Sequence, residues 1–218
     1  MRSFLTAATW CLFVFALTAC AGKVEYTMPS ASGNTNNSVV VNEPRDRVWD
    51  RLVPKLGKNF FVINNLDRDS GLINISYSGD PGRFVDCGQI HSYVKNARGE
   101  RHYRFPATAP QKNYEIMQGG TLYFVDRRME LEGRMNVVLE AMSDDQTRVT
   151  ANTRYVLTKS GTIRNVQGQS RSFSDTIEFN TGGRASFPNP GYDEQTTCVP
   201  NGRLEESVLE LVKSPSTS

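Results

Sequence analysis

Four cysteines and two histidines are the side chains of this sequence best suited to covalent or metal chemistry. The cysteines are Cys11, Cys20, Cys87 and Cys198, and the histidines are His91 and His102. Thiols form disulfides, bind zinc or act as nucleophiles, and a histidine can assist in the last two roles. Asp86, Cys87 and His91 lie close enough in sequence to suggest a Cys/His nucleophile. Finger-like spacing between the thiols and the histidines is absent, so a zinc site is a weaker prediction.

The first twenty residues have the pattern of a secretory signal peptide. Arg2 gives a positive start, and the apolar stretch from Phe4 to Leu17 is shorter than the roughly 20 residues that span a bilayer. Leu17-Thr18-Ala19-Cys20 resembles the lipobox of bacterial lipoproteins. The resemblance implies acylation of Cys20 and cleavage before it; the alternative is an ordinary signal peptide that contains a cysteine. The absence of Asp at position 21 resembles lipoproteins sorted to the outer membrane, so we expect the protein on its periplasmic side.

A disulfide is the simplest use of the two cysteines that remain. Cleavage removes Cys11 and lipid occupies Cys20, which leaves Cys87 and Cys198 in an oxidising compartment. Closing a loop of about 110 residues would stabilise the fold by on the order of 4–5 kcal/mol if chain entropy dominates. We therefore predict a Cys87–Cys198 disulfide, and neither a metal nor a cofactor.

The most basic segment of the chain runs from residue 98 to 112. Its candidate contact residues are Arg98, Arg101, Arg104 and Lys112. One hypothesis is a solvated loop, and the other is contact with anionic lipid, a glycan or an acidic patch on a protein partner. Removal of residues 1–19, in which only Arg2 is charged, lowers the formal net charge from +2 to +1. This balance argues against nucleic-acid binding.

Composition divides the mature chain into a tether, one domain and a short tail. Residues 20–38 are rich in Ser, Asn, Gly and Thr and predict a flexible tether with a reach of roughly 20–25 Å. The alternative for this segment is a strap that becomes ordered on a partner. Residues 39–214 are expected to form a single domain, and residues 215–218 a disordered tail.

Hydrophobic periodicity predicts a helix near each end of the domain and strands between them. Apolar residues at helical spacing indicate helices over 42–57, with a kink or early end at Pro54, and from residue 201 to Pro215. An Asp/Gly turn at 67–71 predicts a hairpin, and strict alternation predicts strands between 121 and 157. A second hairpin is expected around Gly182-Gly183, and the polar stretch 159–174 is expected to be a mobile loop.

One stretch also resembles a known family. Val48-Trp49-Asp50-Arg51-Leu52, followed by Leu66 to Ile73 and by Tyr77, resembles the start of the helix-grip domain of BamC-like lipoproteins. These are accessory subunits of the machine that assembles outer-membrane β-barrels. With the predicted element order, the resemblance implies an α+β domain, in which a twisted antiparallel sheet packs against an N-terminal and a C-terminal helix. The paired cysteines and the single domain depart from the family.

The functional prediction is a non-catalytic accessory or interaction subunit of a cell-envelope complex, of the outer-membrane assembly or secretion type. Motifs for a serine nucleophile elbow, a zinc protease, a phosphate-binding loop or a dinucleotide site are absent, so we do not expect an enzyme. The expected partners are the membrane and an envelope protein. The alternative is a lipid- or small-molecule-binding domain with an apolar cavity of several hundred Å³, whose ligand the sequence does not specify.

Overall fold

The computed structural model describes residues 21–30, 36–188 and 196–214. In this part of the chain, 62% of residues lie in strands and 15% in helices. The elements, in chain order, are β1 (Ala21–Thr27), β2 (Ser38–Val41), α1 (Arg45–Lys58), β3 (Val62–Asp67), β4 (Leu72–Gly79), β5 (Val85–Asp86), β6 (Gln89–Asn96), β7 (Gly99–Pro106), β8 (Gln111–Gln118), β9 (Thr121–Ser143), β10 (Gln146–Asn165), β11 (Ser170–Asn180), β12 (Ala185–Phe187), β13 (Thr196–Pro200) and α2 (Arg203–Lys213).

The predicted α+β, helix-grip-like fold class is wrong. The described residues form a mainly β structure with several antiparallel sheets, instead of one sheet packed against an N-terminal and a C-terminal helix. The two helices pack on each other and on part of the largest sheet. The physical reason is that residues 81–118 and 159–174, assigned little regular structure from the sequence, form strands that extend the sheet and add a second one.

A hairpin of two long strands organises the structure. β9 has 23 residues and β10 has 20, and they pair in antiparallel register from Ser143 opposite Gln146 to Tyr123 opposite Asn165. β8 pairs with the first part of β9 and β4 with the second part. β2 pairs with the first part of β10 and β11 with the second part. β3 completes this seven-stranded sheet at its edge beside β4.

Alternation along the long hairpin gives the sheet one buried face. Alternate residues of both strands are buried: Met129, Leu131, Met135, Val137, Leu139, Val149, Ala151, Tyr155 and Leu157. Side chains of successive strand residues point to opposite faces, so this pattern places the core on one side of the sheet. The second sheet, β1-β6-β7, packs near β8 at one end, and the two helices cover the sheet near its other end.

The two helices lie side by side and are joined by charged side chains. The buried positions of α1, namely Val48, Trp49, Leu52 and Leu56, follow the predicted helical spacing, and Pro54 lies inside the helix without ending it. Arg51 of α1 donates to the carbonyls of Val212 (2.5 Å) and Ser214 (2.7 Å), and Lys55 also donates to Ser214 (2.7 Å). Cations at a helix C-terminus satisfy carbonyls that have no partner inside the helix and interact favourably with its dipole.

Two segments expected to lack regular structure contain strands. Residues 21–27 belong to the predicted tether but form β1, whose backbone pairs with β6 along its whole length. The predicted loop 159–174 contains the end of β10 and the start of β11, which pair from Arg164 opposite Ser170. Backbone pairing needs no apolar side chains, so polar segments can form strands beside a buried neighbour.

The predicted hairpin around residues 182–183 is also wrong, because β12 pairs with β13.

Other sequence expectations fall on the chain ends. The signal segment, Cys20 and the tail 215–218 lie outside the described residues. Within the part that is described, no helix is both long and apolar enough to cross a bilayer.

Candidate functional surfaces

The predicted lipidation residue directly precedes a strand of the folded domain. Cys20 lies outside the described residues, and its acylation stays a prediction. The next residue, Ala21, begins β1 and pairs with Lys95 of β6. Any group attached at position 20 is therefore only one residue from the folded sheet.

The predicted Cys87–Cys198 disulfide is present, with a separation of 4.1 Å between the two Cα atoms. Cys87 follows β5, and Cys198 lies in β13, which pairs with β5 through Val199 and Asp86. Both cysteines are fully buried. The bond fixes the segment before α2 to the segment after the first hairpin, and both thiols are used in it.

Two of the four predicted basic contact residues are held by neighbouring side chains. Arg101 on β7 forms an ion pair of 2.6 Å with Glu115 on β8, and both side chains are largely covered. The ammonium group of Lys112 lies 5.5 Å from the ring centre of Phe105. These contacts join the second sheet to β8, so Arg101 and Lys112 have structural partners within the domain.

The other two basic residues point to solvent at separate places. Arg98 is exposed in the turn between β6 and β7, and its backbone amide donates to the side chain of Asn96 (2.9 Å). Arg104 is exposed further along β7, opposite His91. The four residues therefore do not converge on one site. A role for them in contact with a partner or an anionic surface stays a prediction.

A buried carboxylate lies under the start of α2. Glu205 has no exposed surface and accepts hydrogen bonds from the hydroxyls of Tyr155 (2.7 Å) and Thr181 (2.7 Å). Burial and the neighbouring charge of Glu205 raise the pKa of Tyr155 above its ordinary value. The two hydroxyls and the helix N-terminus compensate the buried charge. The site has the character of a structural contact between α2 and the long hairpin.

Two buried cations lie near the middle of the long hairpin. Lys159 is 4% exposed and donates to the carbonyl of Pro188 (2.7 Å), with Asp175 at 3.7 Å. Burial lowers the pKa of Lys159 to about 8; the positive charge of Arg127 acts in the same direction, and Asp175 opposes it. Arg127 is also buried and donates to the carbonyl of Ala107. A partly neutral lysine could accept a proton, but it lies in a tightly packed place.

Sequence reasoning did not identify Glu205 and Lys159 as buried charges, although the spacing of each from apolar residues indicates a position on the core side. Lys159 follows Tyr155 and Leu157 on the inward side of β10. Glu205 lies three, four and seven residues before Val208, Leu209 and Val212, which are all buried in α2. These spacings place both charges on the core side of their elements.

The cavities of the described residues differ in size and in lining. The enclosed space beside Lys159, lined by Ile90, Tyr114, Ile116 and Met129 among others, holds about 20 Å³, which is room for about one water molecule. A depression of about 600 Å³ is open to solvent and includes Asn113, Glu115, Asp126 and Arg164 in its lining. Ligand sites for apolar molecules are enclosed and mainly apolar. Neither space has that character.

An exposed apolar edge is the most distinctive surface of the domain. β3 lies at the edge of the large sheet, and Val62 and Leu66 on it are 62% and 44% exposed. Phe60, which precedes the strand, is 42% exposed and rests on Tyr77 at 5.3 Å between ring centres. An edge strand presents backbone groups that can pair with another chain, and native edges are usually protected by charges. We name Phe60, Val62 and Leu66 the β3 edge patch. The bulge between Ile63 and Asn65 places Val62, opposite Ser76, and Leu66, opposite Ile73, on different faces of the sheet, so the patch follows the edge rather than one face.

Within the described ranges, no group of three or more His, Cys, Asp or Glu side chains is arranged to hold a metal ion. The sequence suggested a nucleophile pair of Cys87 and His91. In the structure Cys87 is buried and bonded in the disulfide, whereas His91 is partly exposed on β6.

In comparisons with known proteins, no protein-family model matches the chain, and neither a curated protein nor a solved structure shows significant similarity to it.

Proposed function

We propose that this protein is a lipid-anchored, non-catalytic interaction subunit of a cell-envelope complex, held at Cys20 on the periplasmic side of the outer membrane. The resemblance of residues 17–20 to a lipobox supports the anchor. The buried Cys87–Cys198 disulfide supports an oxidising compartment such as the periplasm. The proposal concerns a binding domain, and its partner is an envelope protein.

The observation that carries the binding role is the β3 edge patch. Its three apolar side chains are between 42% and 62% exposed, and among the described strands β3 is paired on one side only, with β4. A partner could add a strand to this edge and gain backbone hydrogen bonds, while alternate side chains of the added strand cover Val62 on one face of the sheet and Leu66 on the other. Phe60 supplies an aromatic anchor that is already held against Tyr77, and pre-ordered aromatic side chains often dominate binding energy.

The anchor is tested by Cys20→Ala in cells. We expect the variant to lack the acyl modification and to leave the membrane fraction, because the thiol is the attachment point of the lipid. Mass analysis of the purified protein and fractionation of cell lysates measure the two effects. Membrane attachment equal to that of the unchanged protein would contradict the proposal.

The binding edge is tested by photo-crosslinking. A benzoylphenylalanine residue in place of Phe60 should give a discrete crosslinked species containing an envelope protein. Val62→Lys in the same chain should reduce this species at least about tenfold, because a charge would have to lose water on docking. Gel analysis and mass spectrometry identify and quantify the crosslink.

Met142→Lys is the matched control, since Met142 is 47% exposed at the end of β9 and lies outside the β3 edge patch. It should leave the crosslink unchanged. Both variants should keep the melting temperature within about 2 °C, because exposed substitutions change stability by about 0.5 kcal/mol or less. Recovery of the uncrosslinked protein alone, from every variant, would refute the binding role.

The alternative, a lipid- or small-molecule-binding domain, has less support. It requires an enclosed apolar cavity of several hundred Å³, whereas the narrow space beside Lys159 holds about 20 Å³ and the depressions of about 460, 530 and 600 Å³ among the described residues are open to solvent. The proposal of an interaction subunit is therefore preferred.

A further inference from the structure

The point where the chain enters the domain fixes which end of the domain lies near the proposed anchor. Ala21 pairs with Lys95 at the end of β6. Ala21 is joined directly to residue 20, the proposed attachment point of the lipid. An acyl chain on Cys20 would therefore hold this end of the sheet at the bilayer surface.

Three turns lie at the same end. The turn 96–99 joins β6 to β7 directly beyond Lys95. The turn between β8 and β9, at 118–121, lies beside β1, because a Cβ atom added to Gly22 would fall 2.2 Å from the Cβ of Met117. The turn 165–169 lies next to it, since Tyr123 pairs with Asn165. We call these three turns and the strand residues that flank them the anchor end.

The anchor end is basic. Its charged side chains are Lys23, Glu25, Lys95, Arg98, Glu100, Arg101, Glu115, Asp126, Arg164 and Arg171. Three of the four acids are used in ion pairs: Glu25 with Lys23 at 2.5 Å, Glu100 with Lys95 at 2.6 Å and Glu115 with Arg101 at 2.6 Å. Arg98, Arg164 and Arg171 are exposed, and they give this end a positive excess.

The opposite end of the long hairpin is acidic. Its turns carry Asp67 and Asp69, and Asp144 and Asp145, all of them exposed. Arg68 is the basic residue in these turns, and it pairs with Asp50 of α1 at 2.8 Å. Arg45 of α1 also donates to the carbonyl of Asp69, and Arg148 lies opposite Glu140 on the flanking strands. The acids still outnumber the cations at this end, so charge is separated along the length of the sheet although the mature chain is nearly neutral.

The turn 165–169 also presents an apolar side chain. Val166 is 56% exposed at its tip. The carboxamide oxygen of Asn165 accepts hydrogen bonds from the backbone amides of Gln167 (3.1 Å) and Gln169 (2.9 Å), which fixes the turn. An apolar side chain on a fixed turn, flanked by cations, matches the chemistry of a membrane interface with anionic headgroups.

We propose that the anchor end is a membrane-contact surface, in which Arg98, Arg164 and Arg171 face anionic phospholipid headgroups and Val166 enters the interface. This inference rests on the proposed acylation of Cys20. It sets the orientation of the domain: the long hairpin rises from the bilayer, with its acidic turns farthest away. Arg98 is one of the residues that the sequence had suggested for an anionic surface.

The test uses the acylated mature protein in vesicles of phosphatidylethanolamine with about 30% phosphatidylglycerol, a composition that gives a negative surface. Val166→Trp places an indole at the anchor end, and Asp145→Trp places one at the opposite end. Trp49, the other tryptophan of the mature chain, is buried at 7% exposure and supplies a constant background. Brominated lipid quenches indoles that reach the interface.

We expect quenching in Val166→Trp to exceed that in Asp145→Trp at least about twofold, because only one end meets the interface. Arg98→Glu combined with Arg164→Glu should reduce this difference, and about 0.5 M salt should do so in the unchanged background, since screening weakens surface charge interactions. Circular dichroism of each variant checks folding. The salt titration gives the same information if the double variant fails to fold.

The outcomes separate this inference from the proposed function. Equal quenching of the two indoles, in protein whose acylation is confirmed by mass analysis, would overturn the membrane contact and leave the anchored subunit standing. A missing acyl group on Cys20 would overturn both. Quenching that persists in about 0.5 M salt and in neutral phosphatidylcholine would remove the role of the arginines. Crosslinks from this end only to an acidic protein would assign the surface to that protein.

Discussion

Glu205 shows how one buried charge is accommodated in the core. Tyr155→Phe removes the hydroxyl that donates to its carboxylate at 2.7 Å. We expect a loss of about 1–3 kcal/mol in the free energy of unfolding, because a buried acceptor loses its partner while the packing is nearly unchanged. Urea denaturation followed by circular dichroism measures the change.

The control for this substitution is Tyr123→Phe, at a half-buried tyrosine of β9. It should change the free energy of unfolding by less than about 0.5 kcal/mol. Equal effects of the two substitutions would mean that the hydrogen bond to Glu205 contributes little to stability.

Lys159 should make stability depend on alkaline pH. Its pKa is about 8 in the folded protein and near the ordinary 10.5 when unfolded. Below pH 8 both states carry the proton, and the folded state bears the full cost of the buried charge. As the pH rises from 8, the folded state releases the proton first, so folding becomes more favourable.

Between about pH 8 and 9.5 this effect should add about 1–2 kcal/mol to the free energy of unfolding, relative to Lys159→Met, which lacks the titrating group. Urea titrations of both proteins at several pH values measure the difference. Tyrosine ionisation, which begins in this range, affects both proteins alike and cancels in the difference between them. A constant difference between the two proteins across the range would contradict the lowered pKa.

At the level of elements, the disulfide joins β13 to the residue that follows β5, next to the short pairing between these two strands. β5 has two residues and pairs with β13 through Val199 and Asp86. Cys198→Ser should lower the free energy of unfolding by on the order of 4–5 kcal/mol in the chain-entropy estimate, and less if the unfolded chain keeps structure. Thermal unfolding under non-reducing conditions measures this as a drop of roughly 8–20 °C in the melting temperature.

Cys87→Ser and the double substitution are the controls for the bond. Each should match Cys198→Ser, because the three proteins lack the same crosslink; the single variants are measured at low protein concentration, so that their free cysteines do not pair between molecules. A double variant about twice as destabilised as the single ones would point to side-chain packing in place of the crosslink.

The elements that sequence reasoning found are those with regular periodicity. The stripe of Val48, Leu52 and Leu56 located α1, and alternation from Met135 to Leu157 located the centre of β9 and β10. Residues 159–174 were missed because polar side chains dominate, although half-buried Ile163 and Phe173 alternate with them. In such a segment the neighbouring strand, and not the local sequence, decides the structure.

For the whole molecule, the sequence located many of the strands but not their pairing. The predicted helix-grip arrangement assumed a single sheet between two helices, while β1, β6 and β7 form a separate sheet. β1 could not be predicted from its own polar composition, because its order comes from pairing with Gln89–Asn96, far away in sequence. The anchor end is likewise formed by pairing between strands that are distant in sequence, so the sequence alone did not locate it. The exposure of Val62 and Leu66 likewise depends on which strand lies at the sheet edge.

The continuous length of β9 has a consequence for reach. At about 3.3 Å per residue, a strand of 23 residues spans at most about 75 Å, and twisting shortens it. If the protein is anchored at residue 20, the length of the strand sets the distance between the lipid headgroups and the far turns of the hairpin. Partners that bind at different distances from the bilayer would then contact different parts of the same hairpin.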